Sequence, residues 1–142
     1  LRYSRLFPFK SLFRSLARPR ETEAPSGYLY FFLGALLVVV FLRPIPAVIA
    51  LTASILGDVA SALIGSQLGR VKLPRGERTL EGTLAGALAI ISLSLIYPVP
   101  LAAAASMTFI AVELLNPGFL DDNLVHPLTI GVTVQLCDLL LA

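Results

Sequence analysis

The sequence predicts an all-α membrane protein of about five transmembrane helices, preceded by a basic amphipathic helix in the membrane interface. Three observations predict it. Of 142 residues, 56% are hydrophobic and 14% charged, against about 25% charged in an ordinary soluble domain. Apolar runs recur along the chain, separated by short turns rich in proline, glycine or charge. The first 24 residues interleave cations with large apolar side chains. Two parts follow: an interfacial segment, residues 1–26, and a transmembrane domain, residues 27–142.

In the first part, Leu6, Phe9, Phe13 and Leu16 share one helical face, with Arg2, Arg5, Lys10, Arg14, Arg18 and Arg20 around them. A helix of that kind lies in the plane of the headgroups. Its alternative use is to hold a nucleotide or lipid phosphate.

The first span is read at residues 27–43, with Tyr28 and Tyr30 as interface aromatics. Arg43-Pro44-Ile45-Pro46 reads as a tight turn. The second span, about Ala47 to Leu68, is long enough to cross a bilayer core, which takes about 20 residues. It carries Asp58, and it repeats small residues every four positions: Ala53, Gly57, Ser61, Gly65 and Gly69. That repeat is a close helix-packing seam. Asp58 inside an apolar run is a functional-site candidate by default, with a structural polar pair as the alternative.

Residues 69–82 form a loop in which Arg70, Lys72, Arg75 and Arg78 outnumber Glu77 and Glu81. Glycines let backbone N–H groups approach a bound anion, and the cations neutralise it. The third span runs from about Thr83 to Tyr97. Tyr97-Pro98-Val99-Pro100 is a turn, and the fourth span, about Leu101 to Leu115, contains Glu113. Pro117-Gly118 breaks the helix, and residues 116–127 read as a loop holding Asp121, Asp122, Asn123 and His126. Beside Pro127, His126 reads as an interfacial polar residue rather than a metal ligand. The last span is about Leu128 to Leu141, interrupted by Gln135 and Asp138. The lone Cys137 supports neither a disulfide framework nor a zinc site.

Lys and Arg concentrate on the cytoplasmic side of membrane proteins. The N-terminal segment holds six, the 69–82 loop four, the 43–46 turn one and the 97–100 turn none. With five spans, the segment and the loops 69–82 and 116–127 share one face, which the charge rule places in the cytoplasm.

Gly57-Asp58-x-Ala60-x-Ala62-x-Ile64-Gly65-x-x-x-Gly69-Arg70, followed by Arg78-Thr79-Leu80-Glu81-Gly82, resembles the CTP-dependent lipid-alcohol kinases: dolichol kinase, phytol kinase and the CTP-using diacylglycerol kinase. Glu113, with Asp121-Asp122-Asn123-Leu124 eight residues on and then Pro127, resembles that family's second block. Arg78 stands where the family has Lys. The charge is kept, but a planar fork replaces a point charge. Family members carry further membrane helices upstream, so the resemblance implies that this chain is the C-terminal catalytic part.

The resemblance implies transfer of the CTP γ-phosphate to a membrane polyprenol or other lipid alcohol, giving polyprenyl phosphate and CDP. Such transfer needs positioning and charge neutralisation. The expected catalytic residues are Asp58, Glu113, Asp121 and Asp122. Asp58 with Asp121 or Asp122 would hold Mg²⁺, and Glu113 would orient the alcohol. Gly57, Gly65, Gly69, Arg70, Lys72, Arg78, Thr79, Glu81, Gly82 and Asn123 would contact the nucleotide. The expected partners are the bilayer, the lipid alcohol and CTP, with no nucleic acid; small-residue seams allow a homodimer. Two rival readings are a CDP-lipid synthase, whose downstream His-Gly-Gly…Asp-Arg signature is missing here, and a non-catalytic membrane transporter with Asp58, Glu113 and Gln135 on an ion path.

Overall fold

A computed structural model describes residues 27–73, 78–115 and 120–142. The amphipathic segment expected at residues 1–26 lies outside the described residues, as do Arg75, Glu77 and the Pro117-Gly118 breaker. The described residues are all-helical apart from a single antiparallel bridge between Lys72 and Thr79. Five helices follow one another: α1 (Gly27–Phe41), α2 (Pro44–Leu68), α3 (Leu80–Ile91, extended by a 3₁₀ turn at Ser92–Leu95), α4 (Val99–Leu115) and α5 (Asp122–Leu141).

Two boundaries differ from the sequence reading. Pro44-Ile45-Pro46 is the first turn of α2, not a turn between helices. A proline at the first helical position loses only an N–H that has no partner there, and its fixed φ suits the helix. Likewise Asp122–Pro127 is helical, so the 116–127 loop ends at Asp121 and α5 begins six residues early. Asp121 caps that start, its carboxylate accepting from the Asn123 N–H at 2.9 Å and from Asn123 Nδ2 at 2.8 Å. Pro127 lies inside α5, so the Asn123 carbonyl has no proline N–H to receive. Gly34 brings α1 close over that turn: a Cβ there would lie 3.0 Å from the Pro127 ring and 3.4 Å from the Asn123 and Leu124 carbonyl oxygens.

α2 packs along α3, and α5 touches α1, α2 and α4. The α2–α3 contact is the small-residue seam. A Cβ on Gly82 would meet the Ser61 carbonyl at 2.7 Å, and one on Gly86 would meet the Gly57 carbonyl at 2.8 Å. Phe109 of α4 closes the same seam: Cβ atoms on Gly57 and Gly86 would each fall 2.6 Å from its ring. Ser106 ties α4 to α3 by donating to the Ala87 carbonyl at 3.0 Å. The core comprises Val38, Ile49, Ala53, Ile90, Phe109, Ile130 and Val134, among others, all fully buried.

The outside is apolar too. Phe32, Leu36, Val40, Ile55, Val59, Leu88, Met107 and Leu136 are all at least half exposed. α2 and α5 are long and apolar enough to cross a membrane by length and composition, whereas α1, α3 with its 3₁₀ turn, and α4 are apolar but shorter.

The helices alternate in direction. One end of the bundle gathers the start of α1, the loop into α3, the end of α4 and the start of α5; Gly27 sits beside Asn123, and Arg78 beside Asp122. The other end is held by the α1–α2 turn. The Arg43 N–H donates to Gln135 Oε1 at 2.7 Å, and its guanidinium lies 3.6 Å from Asp138. Gln135 and Asp138, the polar interruptions of the last span, therefore satisfy the entry to α2.

Candidate functional site

The end of the bundle that carries the loops holds a chain of charged groups drawn from three helices and the loop before α3. Arg78, just before α3, pairs through one guanidinium nitrogen with Glu113 near the end of α4. Through the other it donates to Asp122 at the start of α5. Glu113 is held on its far side by Thr83 of α3, whose hydroxyl donates to Oε2 at 3.4 Å. His126 of α5 is fully buried and lies against the Phe109 ring, with ring centroids 4.9 Å apart. Its Nδ1 is 3.0 Å from Asp58 Oδ1 of α2. Its Nε2 faces Glu113 Oε1 at 3.6 Å.

The exposure gradient across the cluster decides which groups a ligand reaches. The side chains of Glu113 and His126 are 1% and 0% exposed, whereas Asp58, Arg78 and Asp122 are about a third exposed. The first two form a floor and the last three a rim. An uncompensated carboxylate on such a floor would cost several kcal/mol, and the fork of Arg78 meets that cost while keeping a second partner.

The sequence-predicted residues divide. Asp58, Glu113, Asp122 and Arg78 come together. Asp121 and Asn123 instead form the helix start described above. Gly57, Gly65, Gly69 and Gly82 line helix contacts: Cβ atoms on Gly65 and Gly69 would meet the Thr79 side chain, and one on Gly82 would meet Gly65. Thr79 caps α3, its hydroxyl accepting from the Gly82 N–H at 3.2 Å. Arg70 and Lys72 are exposed on the loop.

That loop folds back on itself through Leu73 N–H to the Arg78 carbonyl (2.9 Å) and Leu80 N–H to the Val71 carbonyl (2.8 Å). It already holds an anion of its own. The Glu81 carboxylate accepts from the Val71 N–H at 3.2–3.3 Å. Backbone N–H groups, its own first and then those of Arg70 and Val71, hold the Glu81 carboxyl below its ordinary value.

His126 is the residue the sequence reading misplaced: it is buried in the cluster, not interfacial. The one signal for it was the i, i+4 spacing from Asp122, visible only once the helix start at Asp122 is known. Asp58, Glu113 and His126 present ligand atoms within 4.8 Å of one another. Mg²⁺ demands near-ideal octahedral oxygen geometry and uses one or two carboxylates plus substrate phosphates. Two members of the trio fit that description and the imidazole does not.

No family model, curated protein or solved structure matches the chain.

Proposed function

We propose that the chain is a polytopic membrane phosphotransferase, moving the γ-phosphate of CTP to a membrane lipid alcohol such as a polyprenol. The carrying observation is the charged cluster at the loop-bearing end of a largely apolar bundle, where Arg78 joins Glu113 to Asp122 and His126, bonded to Asp58, faces Glu113. The apolar side chains around the bundle suit all five helices to lipid. In that arrangement the loop-bearing end faces the cytoplasm, and an acceptor with a long apolar tail reaches the rim from the bilayer.

The residues divide the work by exposure. Of the two rim carboxylates, Asp122 is engaged by Arg78, so Asp58 orients the alcohol and takes its proton as the alcohol oxygen bonds to the γ-phosphorus. The bond from that phosphorus to the β–γ bridging oxygen breaks, and CDP leaves. His126 holds Asp58 in place through Nδ1. Arg78, with Arg70 and Lys72 on the loop, supplies positive charge to the phosphates. A divalent cation, held from the Asp58–Glu113–His126 group, would supply further neutralisation of phosphate charge.

The test is transfer from γ-labelled CTP, and separately γ-labelled ATP, to a panel of lipid alcohols in detergent. The expected result is labelled lipid from CTP, lost at least a hundredfold in folded Asp58→Asn. Release of pyrophosphate with phosphatidate, and no labelled lipid, would replace this reading with a CDP-lipid synthase. Absence of both reactions, from folded protein including any upstream helices, would leave a non-catalytic membrane role.

A further inference from the structure

The buried floor of the cluster contains an imidazole nitrogen with no hydrogen-bond partner. An ionised Asp58 only accepts hydrogen bonds, so its 3.0 Å contact puts the imidazole proton on Nδ1 of His126. Nε2 is then a bare lone pair. It is buried, makes no hydrogen bond, and points at a carboxylate oxygen, Glu113 Oε1, 3.6 Å away. Arg78 pairs with that same oxygen, but the imidazole lone pair opposite it has no donor, and a cation between the two would meet it.

The spacing fits a metal ion better than a proton. An N–H···O bond spans about 2.7–3.2 Å. Two ligand atoms about 2.1 Å from one ion lie roughly 3.4 Å apart at a tetrahedral angle. The Asp58–His126 contact is the second half of the pattern: a carboxylate on the far ring nitrogen fixes the tautomer and aims the other nitrogen at the metal. Charge agrees. Among the described residues, Asp58 and Glu113 place two carboxylates on the one imidazole. Arg78 already has Asp122 as a partner, so Glu113 can pass to a cation without stranding the guanidinium.

We propose that Glu113 Oε1 and His126 Nε2 are ligands of a resident divalent cation of the nitrogen-accepting class, Mn²⁺ or Zn²⁺, with Asp58 as the positioning residue for His126. Imidazole suits such ions, whereas Mg²⁺ takes oxygen. The site uses the same cluster as the proposed phosphotransfer. It needs no nucleotide, so its binding is measured apart from turnover.

The experiment is titration of the chelator-stripped full chain in detergent with Mn²⁺ alone, followed by electron paramagnetic resonance and its electron spin-echo modulation. The expected result is one tightly bound Mn²⁺ per chain, with ¹⁴N modulation from an imidazole. A tenfold excess of Mg²⁺ should not displace it, and Zn²⁺ should. Glu113→Gln and His126→Gln should each weaken binding at least tenfold, and Asp58→Asn about tenfold. His126→Gln should also abolish the nitrogen modulation. The wild-type spectrum decides the matter if either floor variant does not fold. No stoichiometric Mn²⁺, bound Mn²⁺ without nitrogen modulation, or ready displacement by Mg²⁺ would overturn the proposal. Metal binding without phosphate transfer would leave this site standing and remove only the kinase reading.

Discussion

Arg78 pairs with Glu113, a carboxylate whose side chain is 1% exposed, across the α3–α4 contact. Glu113 is out of reach of water, so Arg78 is its main compensation, while Arg78 keeps Asp122 as a second partner. Removing one partner of a buried pair costs about 3–5 kcal/mol. Arg78 is a third exposed, so Arg78→Ala should cost about 3 kcal/mol, at the low end of that range. Arg78→Lys should recover part of it, because an ammonium keeps the charge but cannot fork between Glu113 and Asp122. Thermal unfolding of Arg78→Ala, Glu113→Gln and the double variant checks this; the double variant should be more stable than the sum of the two losses predicts.

The seam around Phe109 has no slack. A Cβ on Gly86 would lie 2.6 Å from the Phe109 ring and 2.8 Å from the Gly57 carbonyl. Gly86→Ala should therefore destabilise by about 1–3 kcal/mol through overpacking. Adding Phe109→Leu should restore part of the loss by clearing the ring, as read by melting temperature. Equal destabilisation with and without the second change would place the strain in the backbone contact.

Glu81 makes the loop sensitive to acid. Its carboxyl is lowered from an ordinary 4.5 by backbone N–H groups, so its docking of the loop is fully present above that value. The docking is lost as pH falls through the lower folded value. Hydrogen exchange at the Val71 amide should show constant protection above pH 4.5 and declining protection below it. Glu81→Gln should show weak protection at every pH.

The proposed five-span arrangement makes a sidedness prediction. In a Cys137→Ala background, Lys72→Cys lies on the loop-bearing end and Val99→Cys at the opposite end; both positions are exposed. In sealed vesicles an impermeant thiol reagent should label one of them and not the other. Labelling of both from the same side would reject the arrangement.

The helices were legible because apolar runs of this length have few other uses. The seam was legible because Gly57, Ser61 and Gly65 recur every fourth residue and that period stacks them on one face. Both misread boundaries involve proline: Pro44 read as part of a turn and Pro127 as the end of a loop, yet one occupies a first helical turn and the other lies inside α5. Asp58, Glu113 and Arg78 stood out as charges beside apolar runs. Asp121 stood out equally, but its carboxylate is taken by a local cap, an alternative that was open at an Asp directly before a helix. His126 was hidden for another reason. Its place depends on α5 meeting α2 and α4, with Asp58 68 positions away in the chain, and no local pattern records that.

The division of the cluster among three helices and a loop also sets the order in which its members are made. Asp58 and Arg78 are made early, Glu113 next, and His126 and Asp122 only with α5. Until α5 arrives, Asp58 lacks its imidazole, and Arg78 alone compensates Glu113. A nascent bundle of four helices is therefore a half-neutralised intermediate. Docking of α5 brings the imidazole of His126 and the carboxylate of Asp122 to the cluster in one step.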